Sequence, residues 1–195
     1  YYLNKDPHRF LEGTLVAAKL IQAEKCYIYI RDEYYGLIKL IEKQIETLVE
    51  EGIISKGYLE LRRGAGAYIC GEESALIESV EGKRGLPRNR PPYVAEVGLF
   101  ERPTLVHNVE TVYWIREIFD NGGKWFSSFG RNGRKGLRTF SVSGFVKKPG
   151  IKLTDAGITV NQLIEEHCGG MLDEHKFKGY LPGGASGGIL PASMN

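Results

Sequence analysis

Cysteine is scarce in this 195-residue chain, and the three that occur, Cys26, Cys70 and Cys168, form no CxxC pair. Neither a disulfide framework nor a zinc or iron–sulfur site is therefore written here, and each is expected as a buried thiol. The four histidines, His8, His107, His167 and His175, lie far apart without helical pairing, so no metal site is expected in this chain. There is no GxSxG elbow for serine hydrolase chemistry. Charge of one sign is lacking too. Lys plus Arg (26) nearly balance Asp plus Glu (24), the net charge is +2, and no Lys/Arg run exceeds two residues. That argues against nucleic acid or a membrane surface as partner. No apolar run reaches the roughly 18 residues that span a bilayer, and no signal peptide is visible, so the expectation is a cytoplasmic protein without direct membrane insertion. The chain opens on YYLNKDPHRFLEG without an initiator Met and closes on PASMN. It is expected to be an internal piece of a longer protein.

What remains is ordered and periodic. Asp6 followed by Pro7 makes a good helix cap and first helical residue, and Phe10, Leu11, Thr14, Leu15, Ala18 and Ile21 recur at helical spacing. A helix is predicted over 7–23. CYIYIRD, 26–32, suits a buried strand, and a second helix is predicted over 34–51, ended by Gly52. A short strand over 58–62 leads into the glycine segment. Strand, helix and strand in this order predict an α/β fold with a parallel sheet and functional loops at the carboxyl ends of the strands. Lys83 to Thr104 is rich in Pro and Gly without periodicity, and Asn108 to Phe119 resumes a helical pattern that NGG at 121–123 stops. The character changes near Gly136. LRTFSVSGFV alternates like a strand, ITVNQLIEEHCGG reads as a short helix and FKGYLPGG as strand and turn, predicting a small α+β domain after a boundary in GRNGRKG.

The segment GAGAYICGEESALIES, 64–79, sets three glycines beside Glu72 and Glu73. One reading is local: acids in a helix's first turn are favoured by its dipole, by about 0.3–1 kcal/mol. The other is a site. Gly64, Gly66 and Gly71 would let a flat ring approach the backbone, Tyr68 could stack on it, and carboxylates accept hydrogen bonds from ribose hydroxyls, amides or a ring N–H. The segment is neither a Rossmann GxGxxG nor a P-loop, because acids sit where phosphate would lie and no Gly-Lys-Ser/Thr follows. RNRPPY, 88–93, reads either as a solvated basic loop pinned by prolines or as a lid offering Arg88, Arg90 and Tyr93 to a second nucleotide. TLVHNVETVYW, 104–114, brings His107 and Asn108 to a helix mouth with Thr111 one turn on, which suits phosphate, while His107 reads equally as a surface or core histidine. LPGGASGGILP, 181–191, lacks a Lys and a following helix and is read as a packing loop without a site.

Taken together, RRGAGAYICGEESALIESVEGKRGLPRNRPPYVAEVGLFERPTLVHNVETVYW resembles the central stretch of the NADH-binding flavoprotein (51 kDa-type) subunit of respiratory complex I, which recurs in NAD-linked hydrogenases and formate dehydrogenases. DPHRFLEG and YIYIRDEY resemble the same family, and SVSGFVKKPG through LPGGASGGILP resembles its ubiquitin-like β-grasp domain. The wording GEESALIESVEGKRGLPR, RPPY and LVHNVETVYW is most similar to the beta (diaphorase) subunit of NAD-dependent formate dehydrogenase. The resemblance implies an incomplete FMN/NADH-binding domain over 1–133 and a β-grasp domain over 134–195. It implies FMN held by Tyr68, Gly71, Glu72, His107, Asn108 and Thr111, and NAD held by Glu73, Arg90 and Tyr93. The flavin would carry the chemistry, with no catalytic side chain, and pass electrons singly to iron–sulfur clusters. The implied partners are a 24 kDa-type 2Fe–2S subunit and iron–sulfur/molybdenum or complex I peripheral-arm subunits. The family usually has Asn, Lys and Phe where this chain has His107, Arg90 and Tyr93. Its earlier glycine-rich FMN loop and its later CxxC segment, which holds a 4Fe–4S cluster, have no counterpart in this sequence.

Overall fold

The computed structural model describes residues 1–64, 66–184 and 187–194, and the chain divides into two compact units, Tyr1–Glu117 and Ile118–Asn195. In the first, a single helical turn, α1 (Tyr2–Lys5), precedes Asp6, whose Oδ1 accepts a hydrogen bond from the Arg9 N–H at 3.0 Å and caps α2 (Pro7–Leu20). Pro7 at the first helical position costs nothing, because its missing N–H would have had no intrahelical partner. The helix ends three residues before the predicted Ala23, and Gln22 turns the chain with a left-handed φ of 53°. β1 (Cys26–Arg31) buries Ile28 and Ile30, and α3 (Tyr35–Glu50) buries Ile38 and Ile41. Each such side chain contributes about 1.5–3 kcal/mol of burial. β2 (Leu59–Gly64) pairs in parallel with β1, from Cys26 opposite Leu59 to Arg31 opposite Gly64. Both strands thus end at the same level, and β2 runs two residues further than predicted, so the glycine segment leaves the sheet at its carboxyl edge.

Beyond it come a 3₁₀ turn (Tyr68–Gly71), α4 (Glu73–Val80), a second 3₁₀ turn (Leu99–Glu101) and α5 (Val109–Asn121). α2 crosses α5 where Gly13 lies, and a Cβ there would overlap the Val112 carbonyl. At the same crossing the Arg9 guanidinium sits 4.2 and 4.7 Å from the ring centres of Tyr113 and Trp114 and pairs with Glu117. The Tyr2 hydroxyl donates to Glu110 at 3.0 Å. The start of α5 is therefore fixed by α1 and α2.

In the second unit α5 stops at NGG as predicted, at Asn121, and the chain does not run on as a loop from there. Gly122 takes a φ of 83°, and a short α6 (Gly123–Ser128) follows at once. β3 (Leu137–Val142) and β4 (Gly150–Asp155) form an antiparallel pair. α7 (Val160–Gln162) opens with a reciprocal cap between Thr159 and Gln162 and winds on as a π-type turn through Leu163–His167. Two-residue strands β5 (Gly179–Tyr180) and β6 (Leu190–Pro191) pair antiparallel. Val146, Ile164 and Cys168 form its core with Val142, Val160, Met171 and Phe177 packed around them. Cys168 and Cys70 are buried as expected, whereas Cys26 at the start of β1 is half-buried. Ala185 and Ser186 of LPGGASGGILP, and Ala65 of the glycine segment, lie outside the described residues.

Candidate functional site at the head of α4

Glu72 has extended backbone (φ −78°, ψ 136°) and caps α4 with its own side chain. Its Oε2 accepts from the Ala75 N–H at 2.9 Å and from the Ser74 hydroxyl at 2.6 Å. The local reading of this acid is correct in its geometry: one of its oxygens is committed to the helix end. The other oxygen is turned outward and accepts from Nη2 of Arg90 at 2.7 Å, and Glu73 Oε1 lies 2.6 Å from the same nitrogen. Two carboxylates and one guanidinium, 18 and 17 residues apart in the chain, thus meet at the rim, each about one-third exposed. Burial, the largest influence on the Glu72 carboxyl, acts upward, yet the Ser74 hydroxyl, the Ala75 and Ser74 N–H groups and the Arg90 charge together hold it below its ordinary value.

The aromatic residues of the two segments that supply this cluster are exposed. Tyr68 is 75% exposed and Tyr93 57%. A Cβ built at Gly71 meets no atom within 4 Å, so the backbone at Gly71, next to Glu72, faces free space. The other two glycines have different reasons. At Gly64 a Cβ would come within 2.6 Å of the Tyr29 ring, whose hydroxyl is bonded to Ser79 at 3.0 Å. At Gly66 φ is 73° and a Cβ would press on Glu33 at 2.9 Å. The expectation that all three glycines admit a foreign ring is corrected. Gly64 makes room for a ring of this protein itself, Gly66 serves a left-handed turn, and Gly71 alone borders open space.

Arg88, expected as part of a lid, is also corrected. Its Nε donates to Glu78 at 2.5 Å, Nη2 to Glu81 at 3.0 Å and Nη1 to the Gly98 carbonyl at 3.0 Å, so every edge of the guanidinium is turned inward. Its N–H donates to Ser74 Oγ at 2.8 Å. Ser74, 1% exposed, therefore joins the two arginine clusters; sequence reasoning passed over it, as it did Glu78 and Glu81. The spacing of those two acids, three apart on one face of a predicted helix, was the available signal for a shared cation.

His107, Asn108 and Thr111 stand elsewhere in the first unit. Asn108 Oδ1 accepts from both the N–H and the hydroxyl of Thr111 at 2.9 Å, capping α5. His107 is exposed and lines a cleft of about 660 Å³ between α2, the start of β1 and the 99–109 segment, walled by Phe10, Ala18, Ile21, Tyr27 and Phe100. Glu72, Glu73 and Arg90 are not among the lining residues of that cleft. Among the described residues no hydrogen bond or ion pair joins the acid–arginine rim to His107, Asn108 or Thr111. The described residues hold no cluster of three or more His, Cys, Asp or Glu able to bind a metal, and no helix long and apolar enough to cross a membrane.

The pieces fit a planar, mostly uncharged ligand. Gly71 leaves a bare strip of backbone beside an exposed tyrosine, and the acid rim accepts N–H and O–H donors. For a phosphate the start of α5 offers few donors: Asn108 Oδ1 holds the Thr111 N–H and hydroxyl, which leaves the Asn108 Nδ2 amide, the remaining first-turn N–H groups and His107 as anion partners.

Comparison with known proteins gives the wider setting. The chain is 42% identical over 197 residues to an NADH-quinone oxidoreductase subunit of Rhizobium meliloti (strain 1021), covering 97% of this chain and 47% of that protein. It is 43% identical over 201 residues to the mitochondrial NADH dehydrogenase [ubiquinone] flavoprotein 1 of Dictyostelium discoideum, covering 98% of this chain and 42% of the relative. The chain spans about half the length of the curated relatives it matches. Among solved structures, the NAD+-reducing [NiFe]-hydrogenase in its air-oxidized state superposes with a TM-score of 0.86 at 37% identity, over 97% of this chain and 32% of the hydrogenase chain. The Nuo51 FMN-binding domain profile matches residues 1–117, the whole first unit with its acid–arginine rim. The chain belongs to the Nuo51 FMN-binding domain family.

Proposed function

We propose that this chain is part of a diaphorase subunit that binds FMN and NAD(H) and moves electrons between the nicotinamide cofactor and iron–sulfur clusters. The observation that carries it is the open strip at Gly71, bordered by Tyr68 and by carboxylates turned outward, in a chain of this family. Tyr68, Gly71 and Glu72 provide the shelf for the flavin ring; His107, Asn108 and Thr111, at the start of α5, face its phosphate end. Glu73 accepts hydrogen bonds from the nicotinamide nucleotide, with Arg90 and Tyr93 beside it. FMN, when bound, supplies the exchange of a hydride for single electrons. The protein's part is to seat two flat rings against each other and to keep side chains out from between them.

Residues 134–195 are read as a β-grasp domain, supported by the antiparallel β3–β4 pair followed by α7. For the parent assembly, the wording of GEESALIESVEGKRGLPR and LVHNVETVYW supports an NAD-dependent formate dehydrogenase. The names of the relatives support an NADH:quinone oxidoreductase or an NAD-reducing hydrogenase equally. In each case the partners are a 24 kDa-type 2Fe–2S subunit and further iron–sulfur subunits, and the 4Fe–4S cluster lies outside this sequence.

The test is an anaerobic titration of the FMN-loaded protein with NADH. Stoichiometric bleaching of the visible flavin absorbance is expected. A flavin that stays oxidised with NADH in excess would overturn the diaphorase reading and leave a subunit-docking scaffold. The 195-residue chain alone is expected to hold FMN weakly, because Asn108 Nδ2, the first-turn N–H groups of α5 and His107 are few donors for a phosphate.

A further inference from the structure

The Arg90 cluster carries two anionic groups and one cation on an open rim. Nη2 of Arg90 serves both Glu72 and Glu73, at 2.7 and 2.6 Å, while its Nε and Nη1 have no hydrogen-bond partner among the described residues. A nicotinamide dinucleotide arrives with an anionic pyrophosphate. Beside two carboxylates without a counter-ion it would meet like charge, which costs affinity at short range. With Arg90 in place, one edge of the guanidinium is held by the glutamates and the other edge stays available to an anionic oxygen, in the fork geometry that arginine supplies.

We propose that Arg90 is the counter-ion that makes the Glu72–Glu73 rim compatible with a dinucleotide: a positioning residue, aimed by the acids and neutralising them. This rests on the reading that the nucleotide binds at this rim. It carries a consequence that a simple phosphate contact does not have. The effect of Glu73 on nucleotide affinity must change sign with Arg90. In the native protein Glu73 holds Arg90 and accepts hydrogen bonds, so Glu73→Gln weakens binding. Without Arg90 the carboxylate can still accept those hydrogen bonds, but its uncompensated charge beside the pyrophosphate outweighs them, so Glu73→Gln strengthens binding.

The experiment is a four-variant cycle read by NADH fluorescence anisotropy on the purified protein, with circular dichroism to confirm folding. Arg90→Gln is expected to weaken NADH about tenfold or more, equivalent to roughly 1.4 kcal/mol. Arg90→Lys, which keeps the charge and loses the fork, should stay within about threefold of native. The double variant R90Q/E73Q should recover most of the Arg90→Gln loss, and that loss should shrink as salt is raised to about 0.5 M. Weakening of equal size by Glu73→Gln in both backgrounds would overturn the counter-ion role while leaving the nucleotide site standing. Absence of any NADH signal from the native protein would overturn the proposed function, and this inference with it.

Discussion

Two arginine clusters flank the same short helix, and they do opposite things with the same chemistry. At the inner end of α4, Arg88 meets Glu78 and Glu81 and a backbone carbonyl, so that Nε, Nη1 and Nη2 are all satisfied inside the protein. The side chain of Glu81 is 5% exposed and also accepts from the Phe100 N–H at 2.7 Å and from Lys83. At the outer end, Arg90 spends a single nitrogen on Glu72 and Glu73 and leaves the rest of its fork unpartnered among the described residues, with all three side chains about one-third exposed. An arginine with every nitrogen bonded within the fold is a fastener. One with donors to spare, on an open rim, is available to a ligand.

The largest effect that would break this contrast is on stability. Arg88→Ala leaves the buried Glu81 with its charge and fewer partners, and is expected to cost about 2–4 kcal/mol, read as a lower urea midpoint. Arg90→Ala removes a solvent-screened pair and should cost under about 1 kcal/mol. Comparable losses from the two variants would show that the rim cluster is also a fastener.

The glycines repeat the contrast on a smaller scale. Gly64→Ala would drive a methyl against the Tyr29 ring, which is tied to Ser79, and should destabilise by about 1–3 kcal/mol through overpacking. Gly71→Ala meets no atom and should change stability, read from the urea midpoint, by less than about 0.5 kcal/mol. On FMN the order reverses. Gly71→Ala places its methyl where the ring is proposed to lie, so flavin retention falls in the stable variant. Full flavin retention by Gly71→Ala would remove that strip from the site.

The contrast also shows what the sequence could and could not disclose. α2, β1 and α3 were legible to within three residues because each announces itself locally: Asp6-Pro7 as a start, alternating Ile28 and Ile30, the apolar stripe of α3. The parallel pairing followed from the order of elements. The reason for Gly64 was not legible, because Tyr29 lies opposite Arg62 in the register and reaches Gly64 only across the strands, 35 residues from it in sequence. Nor could sequence decide which arginine of RNRPPY was consumed internally. Arg88 and Arg90 are two residues apart in a segment without periodicity, and only the fold turns one inward and the other out. The resemblance to a known family supplied the residue roles, while the local chemistry supplied alternatives between which spacing could not choose.

The smallest effect is in acid, and it separates the clusters without any ligand. For Glu81 burial is again the largest influence and acts upward, but Lys83, the Phe100 N–H and Arg88 outweigh it and hold the carboxyl below its ordinary value of 4.5. A carboxyl depressed in the native state binds its proton less readily there than in the unfolded chain. Its contribution to stability is complete above the unfolded value and is lost as pH falls through the native one. The native protein should therefore lose urea stability progressively below about pH 5. In Arg88→Ala the Glu81 carboxyl loses a hydrogen bond and a nearby charge, so its native value rises and the midpoint falls less steeply with acid. In Arg90→Ala, Glu72 keeps the Ser74 hydroxyl and the Ala75 N–H, which weigh more than Arg90 in its depression, and the slope should stay close to native. An equal flattening in both variants would mean that the outer guanidinium governs its acids as firmly as the inner one, and the distinction between fastener and ligand-facing arginine would fail.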